Sequence, residues 1–130
     1  MTKVFLGGTC NNSTWRQTLM PLLDAIGVEY FNPVVDDWTQ ECMEEELRQR
    51  KACDICLYVI TSEMTGVYSI AEAVDDSNKR PDKTAFCFQE DGFTVGQIRS
   101  LGQVAEMVSR NGGFSCNTLG GIVRHLEGAT

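Results

Sequence analysis

The stretch DICLYVIT, residues 54 to 61, is the most apolar strand-like run of the chain. Its β-branched and aromatic side chains favour a β-strand, and its apolar residues do not alternate with polar ones. A strand that is apolar on both faces is typical of a parallel sheet covered by helices on each side. This run therefore predicts an α/β fold.

The segments on either side of this run follow a repeated order of strand and helix. Further strands are predicted over KVFLGG (3–8), VEYFNP (28–33) and KTAFCF (83–88). Helices are predicted over residues 15–26 and 39–52, around Glu72, and in two segments on either side of Gly112 and Gly113, where a short fifth strand fits. We expect one domain over residues 1–130, a three-layer α/β sandwich around a parallel sheet of four or five strands.

The charge of the chain excludes one class of partner. Eighteen acidic and eleven basic residues give a net charge of −7, and the basic residues form no positive stripe that could follow a phosphate backbone. We therefore expect no nucleic-acid polymer as a partner. A phosphorylated small molecule remains compatible with this charge.

The apolar runs are too short to span a membrane, and the first residues lack the pattern of a secretory signal. We therefore expect a cytoplasmic protein without membrane attachment. In that compartment the six cysteines are expected to be reduced and mostly buried.

Cys53 and Cys56 form a C-x-x-C motif that has three interpretations. A zinc site needs further ligands at suitable spacing, and His125 is the only histidine of the sequence. A thiol redox role requires Cys53 to titrate well below about 8.5. Because the motif spans the start of a strand rather than a helix N-terminus, we expect structural thiols and neither a metal nor another cofactor.

Ligands of parallel sheets bind beyond the carboxyl ends of the strands, so the turns after the strands are candidate sites. The first turn, GGTCNNST, supplies Gly8, Thr9 and Asn11 before a predicted helix N-terminus. Free N–H groups at such a terminus suit a phosphate or a sugar hydroxyl. The alternative is an ordinary turn capped by Ser13 or Asn12.

The second turn, FNPVVDDW, supplies polar and aromatic groups: Asn32, Asp36, Asp37 and Trp38. An indole beside carboxylates can stack on a nucleobase while the carboxylates accept hydrogen bonds from hydroxyl or amine groups. The alternative is a surface loop with a half-buried tryptophan.

Glu72, in the stretch TGVYSIAEAVDD that follows the central strand, has two interpretations. In the structural one, Ser69 and Glu72 form a capping box at the start of a helix. In the chemical one, Glu72 is a nucleophile, and its place in the first turn of the helix lowers its pKa through the helix dipole.

The order of several short motifs resembles the nucleoside 2-deoxyribosyltransferase-like family over about residues 3–90. These motifs are VFLGGT, STWR, FNP, DDW, ACDICLYVIT and GVYSIAEAV. The resemblance implies a flavodoxin-like sheet and a glutamate that attacks the anomeric carbon of a sugar. With it, the chemical interpretation of Glu72 becomes the favoured one.

The same resemblance implies roles for other residues. The pair Glu46-Leu47, eight residues before Asp54, matches the position of a second carboxylate that is aspartate in the family. A carboxylate there with a raised pKa would handle protons or orient the leaving base. Gly66, Tyr68 and Ser69 are implied contacts for the sugar or its phosphate. The spacing from Gly66 to Glu72 is longer than the family pattern G-x-x-x-E, so the turn must differ.

Together these features predict an enzyme that cleaves or transfers the N-glycosidic bond of a nucleoside or nucleotide. The alternative is a nucleotide-binding module on the same fold, without turnover. The resemblance also implies a homo-oligomer, for which the sequence offers an apolar stripe in the helix after the fourth strand: Ile98, Leu101, Val104, Met107 and Val108. That stripe can equally belong to the core.

Overall fold

The computed structural model of the chain describes residues 2–10 and 12–129. Within them, five strands alternate with five helices and one short 3-10 helix. In chain order they are β1 (Lys3–Gly8), α1 (Trp15–Ala25), β2 (Glu29–Phe31), α2 (Gln40–Ala52), β3 (Ile55–Ile60), α3 (Tyr68–Lys79), the 3-10 helix (Pro81–Lys83), β4 (Thr84–Phe88), α4 (Val95–Arg110), β5 (Phe114–Cys116) and α5 (Leu119–Ala129). Each predicted element is present, including the short fifth strand.

The five strands form one parallel sheet in the order β2-β1-β3-β4-β5. The central strand β3 is paired on both edges, and all six of its residues are buried. The predicted three-layer α/β class is therefore confirmed, and the strand order is that of a flavodoxin-like fold.

Side chains of β3 alternate between two separate cores. Leu57 packs with Leu19 of α1 and Ile122 of α5 on one face of the sheet. Tyr58 packs with Ala73 of α3 and Leu101 of α4 on the other face. Helices therefore cover both faces, as the doubly apolar strand predicts.

Helix α2 differs from the other helices because none of its 13 residues is buried. Its first turn is capped by Thr39, whose hydroxyl accepts a hydrogen bond from the N–H of Cys42 at 3.2 Å. Polar side chains therefore join this helix to the rest of the fold.

The apolar stripe of α4 is mostly ordinary core, which removes it as support for an oligomer. Leu101 and Val108 are buried, and Ile98 and Val104 pack against the same core. Only the Met107 side chain of this stripe is largely exposed.

Among the described residues, no helix is long and apolar enough to cross a membrane.

Candidate active site

The carboxyl ends of β1 and β3 meet at one edge of the sheet because the two strands are parallel neighbours. Gly8 at the end of β1 is paired with Val59 of β3. Its φ of +116° is unfavourable for other residues, and a Cβ there would lie 2.1 Å from the Val59 carbonyl oxygen. Glycine is therefore required where the chain leaves β1.

Thr9 joins the two strand ends beyond Gly8. Its N–H donates to the Val59 carbonyl at 2.8 Å, and its hydroxyl oxygen accepts a hydrogen bond from the N–H of Thr61 at 2.9 Å. Thr9 is itself buried. Both the backbone and the side chain of Thr9 thus hold the turn after β1 against the end of β3.

Arg16 of α1 shapes the same turn from below. Its guanidinium donates to the carbonyls of Leu6 at 2.9 and 3.0 Å and of Thr9 at 2.7 Å, and it lies 4.2 Å from the centre of the Trp15 ring. The Trp15 indole N–H also donates to the Thr9 carbonyl, at 2.9 Å. These buried carbonyls therefore have partners, and the turn has a fixed shape.

The cap predicted for α1 is absent. The helix starts after Thr14, which makes no side-chain cap. The hydroxyl of Ser13 lies within hydrogen-bonding distance of the carbonyls of Thr9 and Cys10, and it is therefore engaged by the preceding turn.

A cavity of about 170 Å³ opens beside this turn. Its walls come from the end of β1 and from the segment between β3 and α3. The lining residues are Gly8, Thr9, Cys10, Ile60, Met64, Thr65, Gly66, Tyr68 and Ser69. Five residues predicted to bind substrate therefore share one cavity, while Asn11, predicted with them, lies outside the described residues.

The start of α3 differs from the predicted capping box. The helix begins at Tyr68, and the Val67 carbonyl accepts hydrogen bonds from the N–H groups of Ile70 and Ala71. Ser69 is therefore inside the helix and cannot be its N-cap. Glu72 lies in the second turn, so both the capping-box interpretation and the first-turn position are wrong.

Glu72 faces a second cavity, of about 200 Å³, lined by Arg50, Tyr68, Ala71, Glu72 and Asp75. The Glu72 side chain is 17 % exposed. Tyr68 lines both cavities, so the cavity that Glu72 faces adjoins the one beside the turn of β1. Of the five predicted substrate contacts in the first cavity, Tyr68 is the one that also lines the cavity of Glu72.

Burial raises the pKa of Glu72, and the neighbouring charges of Glu46 and Asp76 raise it further, whereas Arg50 lowers it. The predicted lowering by the helix N-terminus is wrong in direction. The dipole effect falls off within the first turn, and Glu72 lies beyond it.

Arg50 of α2 is the cation that faces Glu72. Its Nε lies 3.4 Å from Glu72 Oε2 and donates to the Tyr58 hydroxyl at 2.9 Å, while its Nη2 donates to Asp76 Oδ1 at 2.9 Å. Although burial opposes the charge, Tyr58, Asp76 and Glu72 together raise the pKa of Arg50. The guanidinium is therefore charged at any working pH.

Asp76 is the centre of this network and is 1 % exposed. The Tyr58 hydroxyl donates to its Oδ2 at 2.5 Å, and Arg80 donates to its Oδ1 from two nitrogens, at 3.0 and 3.2 Å. Two guanidinium groups and a phenol thus compensate one buried carboxylate.

Sequence analysis missed Arg50, Tyr58 and Asp76. A usable signal was present for two of them, because Arg50 is four residues after Glu46 and Asp76 is four residues after Glu72. Residues at this spacing share one face of a helix. Two such pairs on successive helices predict an ion-pair cluster if the helices are neighbours.

Glu46 lies on α2, one turn before Arg50, and is partly buried. Its charge acts on Glu72, whose pKa it raises, and on Arg16. The two carboxylates predicted for catalysis therefore lie within electrostatic range of each other.

The predicted residues after β2 lie apart from both cavities. Asn32 uses its side-chain oxygen to accept a hydrogen bond from the N–H of Val34 at 3.1 Å. Asp36 and Asp37 are exposed, and Trp38 is 60 % exposed. This loop offers an open aromatic surface rather than part of an enclosed pocket.

The C-x-x-C motif is structural. Cys53 and Cys56 are buried free thiols. Burial raises the pKa of Cys53 and raises that of Cys56 to about 12. The redox interpretation, which requires a low pKa at Cys53, is therefore wrong.

The part of the chain that the structure describes contains no group of three or more His, Cys, Asp or Glu side chains arranged to hold a metal ion.

A comparison with models of protein families matches residues 1–91 to the family described as nucleoside 2-deoxyribosyltransferase like. The matched part runs from β1 through β4 and contains all the residues predicted for the site. A search of curated proteins finds no match.

Proposed function

Because the chain belongs to the nucleoside 2-deoxyribosyltransferase-like family, we propose that it cleaves or transfers the N-glycosidic bond of a nucleoside or nucleotide. The observation that carries this proposal is the position of Glu72. A partly buried carboxylate, in a cavity that adjoins a polar cavity at the carboxyl edge of a parallel sheet, is where such chemistry needs a nucleophile.

In the proposed reaction, a Glu72 oxygen attacks the anomeric carbon of the sugar as the bond from that carbon to the base nitrogen breaks. The base leaves with the bonding electron pair, takes up a proton, and a glycosyl ester forms on Glu72. Water then releases the free sugar, or a second base takes it to form a new nucleoside.

The surrounding residues have roles in this proposal. Glu46 assists the departure of the base, either by supplying a proton or by orienting it. The turn with Gly8 and Thr9, together with Gly66, Tyr68 and Ser69, binds the sugar and any 5′-phosphate. Trp38 and its neighbours Asp36, Asp37 and Asn32 offer a surface for the base.

The proposal implies a dependence of the rate on pH. Only ionised Glu72 can attack, and burial raises its pKa above the ordinary value for glutamate. The rate constant kcat/KM should therefore fall as the pH decreases through this raised pKa, at a higher pH than for an exposed glutamate. A rate that is constant across that range would contradict Glu72 as the nucleophile.

The test is a panel of ribo- and deoxyribonucleosides and their 5′-monophosphates, with free base measured by chromatography. Base release that Glu72→Gln abolishes supports the enzyme. Binding of one of these compounds without base release would support the alternative, a nucleotide-binding module.

A mechanism-based trap tests the covalent step. A 2′-fluorinated substrate with an activated base slows both steps but still permits the first, so the glycosyl ester should accumulate. Mass spectrometry should find one sugar on the peptide containing Tyr68 to Asp76, and fragmentation should place it on Glu72 rather than Asp75. Base release without an adduct would indicate direct attack by water, and an adduct on another carboxylate would reassign the nucleophile.

We also propose a homo-oligomer, now on a different surface from the α4 stripe. Large apolar side chains are exposed in the segments that follow β2 and β3, at the carboxyl edge of the sheet: Val34, Val35, Trp38, Val67 and Tyr68. Covering them with a second copy would remove apolar surface from water. Light scattering should give at least a dimer, and a monomer at working concentration would contradict this proposal.

A further inference from the structure

To attack as a carboxylate from a mostly buried position, Glu72 needs an opposite charge nearby. The N-terminus of α3 is more than one turn away and does not supply it. The charged groups that face Glu72 are Arg50 and Glu46 from α2 and Asp76 from its own helix, with Asp75 lining the same cavity. Arg50 is the one cation of this group.

Arg50 contacts Glu72 at two points. Its Nε is 3.4 Å from the carboxylate oxygen Oε2, and its Nη2 is 3.5 Å from the Glu72 main-chain carbonyl. The guanidinium therefore spans the side chain and the backbone of the same residue, which restricts the directions in which the carboxylate can point.

The Arg50 guanidinium is itself held in place by Tyr58 of the sheet and by Asp76. Tyr58 belongs to the central strand and is fully buried, and its hydroxyl bonds both Arg50 and Asp76. Asp76 binds Arg50 through both carboxylate oxygens, at 2.9 and 3.4 Å. The orientation of Arg50 is thus set by two buried residues, one on the central strand and one on α3.

We propose that Arg50 is the positioning residue for the Glu72 nucleophile, and that Tyr58 and Asp76 fix Arg50 in the orientation this requires. This inference rests on the proposed function and adds a residue of α2 to it. It also explains how a buried glutamate remains ionised for attack without help from a helix N-terminus.

The planar guanidinium matters because it faces several partners at once. An ammonium group would keep the charge but could not face Glu72, Tyr58 and Asp76 in the same fixed geometry. The inference therefore predicts that a lysine, which has the charge of Arg50 but not its planar shape, replaces it only in part.

The experiment compares Arg50→Gln and Arg50→Lys with a matched control, Arg80→Gln. Arg80 also binds Asp76, through its Nε and Nη2, and among the described residues it forms no ion pair with Glu72. In Arg50→Gln, Asp76 keeps Tyr58 and Arg80 as partners, so we expect the variant to fold. Circular dichroism checks the fold of each protein.

The first measurement is independent of turnover. The titration of Glu72 is followed by NMR of the ¹³C-labelled carboxyl group, assigned with Glu72→Gln. We expect its pKa to rise by about one in Arg50→Gln, to rise less in Arg50→Lys, and to stay unchanged in Arg80→Gln. A Glu72 pKa that is the same in wild type and Arg50→Gln overturns the inference.

The second measurement is base release. We expect kcat to fall about 10²-fold in Arg50→Gln, with the acidic limb of the pH profile displaced to higher pH, and at least about tenfold in Arg50→Lys. Wild-type kcat in Arg50→Lys overturns a positioning role. Absence of base release from the wild-type protein, in contrast, refutes the proposed function, so the two failures are distinguishable.

Discussion

Arg16 and Arg50 are two arginines enclosed by the same fold, but their partners differ in kind. Arg16 lies under the turn after β1 and donates to main-chain carbonyls. Arg50 lies between α2 and α3 and faces carboxylates and a phenol. The same side chain therefore shapes the backbone in one region and controls ionisable groups in the other.

Because of this difference, we expect Arg16 to contribute to the stability of the fold and Arg50 to the reactivity of the site. Main-chain carbonyls do not titrate, so the hydrogen bonds from Arg16 to Leu6 and Thr9 do not depend on the ionisation of their acceptors. The partners of Arg50 change charge with pH, so its contacts bear on the reactivity of the site. A variant in the first region should lower the free energy of unfolding, and a variant in the second should lower the rate.

The largest expected effect is in the second region. Glu72→Gln should reduce base release by more than about 10⁴-fold, because the amide keeps the shape and loses the nucleophile. Turnover at the wild-type rate would assign the chemistry elsewhere.

The same variant should not lose stability. Because burial raises the folded-state pKa of Glu72, the native state binds more protons than the unfolded state between the ordinary pKa and the raised one. Wild-type stability due to this group therefore falls as the pH rises through that window, and Glu72→Gln lacks this decrease. Thermal unfolding at several pH values measures this pH dependence of stability. A markedly lower Tm for the variant at pH 7 would show that Glu72 contributes to stability as well as to the reaction.

The next effect is in the first region. Arg16→Met should lower the free energy of unfolding by about 3 kcal/mol, because it leaves the buried carbonyls of Leu6 and Thr9 with fewer partners. Urea unfolding checks this, with Gln17→Met, at an exposed position of the same helix, as control. Equal stability of the two variants would show that Arg16 does not support the turn.

Glu46→Gln should slow base release about 10²-fold without a comparable loss of stability, since assistance to the leaving base is lost. Glu44→Gln, at an exposed position of α2, is the matched control and should keep the wild-type rate. If both variants react as fast as the wild type, Glu46 is not part of the reaction.

The smallest expected effect tests one hydrogen bond of the turn after β1. Thr9→Val keeps the side-chain shape and removes the acceptor for the Thr61 N–H, so the free energy of unfolding should fall by about 1 kcal/mol. Thr18→Val, on the exposed side of α1, should change it less. A loss in Thr9→Val no larger than in Thr18→Val would remove this hydrogen bond from the explanation of the turn.

The fold was predictable from the sequence because its signal is local and repeated. The doubly apolar run of β3 identifies a parallel sheet, and Gly27 and Pro33 mark the ends of α1 and β2. The site was less predictable, because contacts between helices decide it. The pattern of Ser69 and Glu72 fits a capping box locally, but the preceding turn starts α3 at Tyr68.

The direction of the Glu72 pKa shift could not be obtained from local sequence. The pKa of Glu72 depends on its burial and on Arg50, which is 22 residues earlier in the chain. A local argument included only the helix dipole, and it predicted the wrong direction. The family resemblance implied a role for Glu72 but gave none to Arg50, the cation that faces it.

The absence of buried residues in α2 has a consequence for the cooperativity of the fold. An element attached by polar contacts opens at a lower free energy than one that shares the apolar core. Amide hydrogens of α2 should therefore exchange with solvent well before those of β3. Glu72 and Arg50 thus belong to units of different local stability, and opening of α2 would separate them while the sheet stays intact.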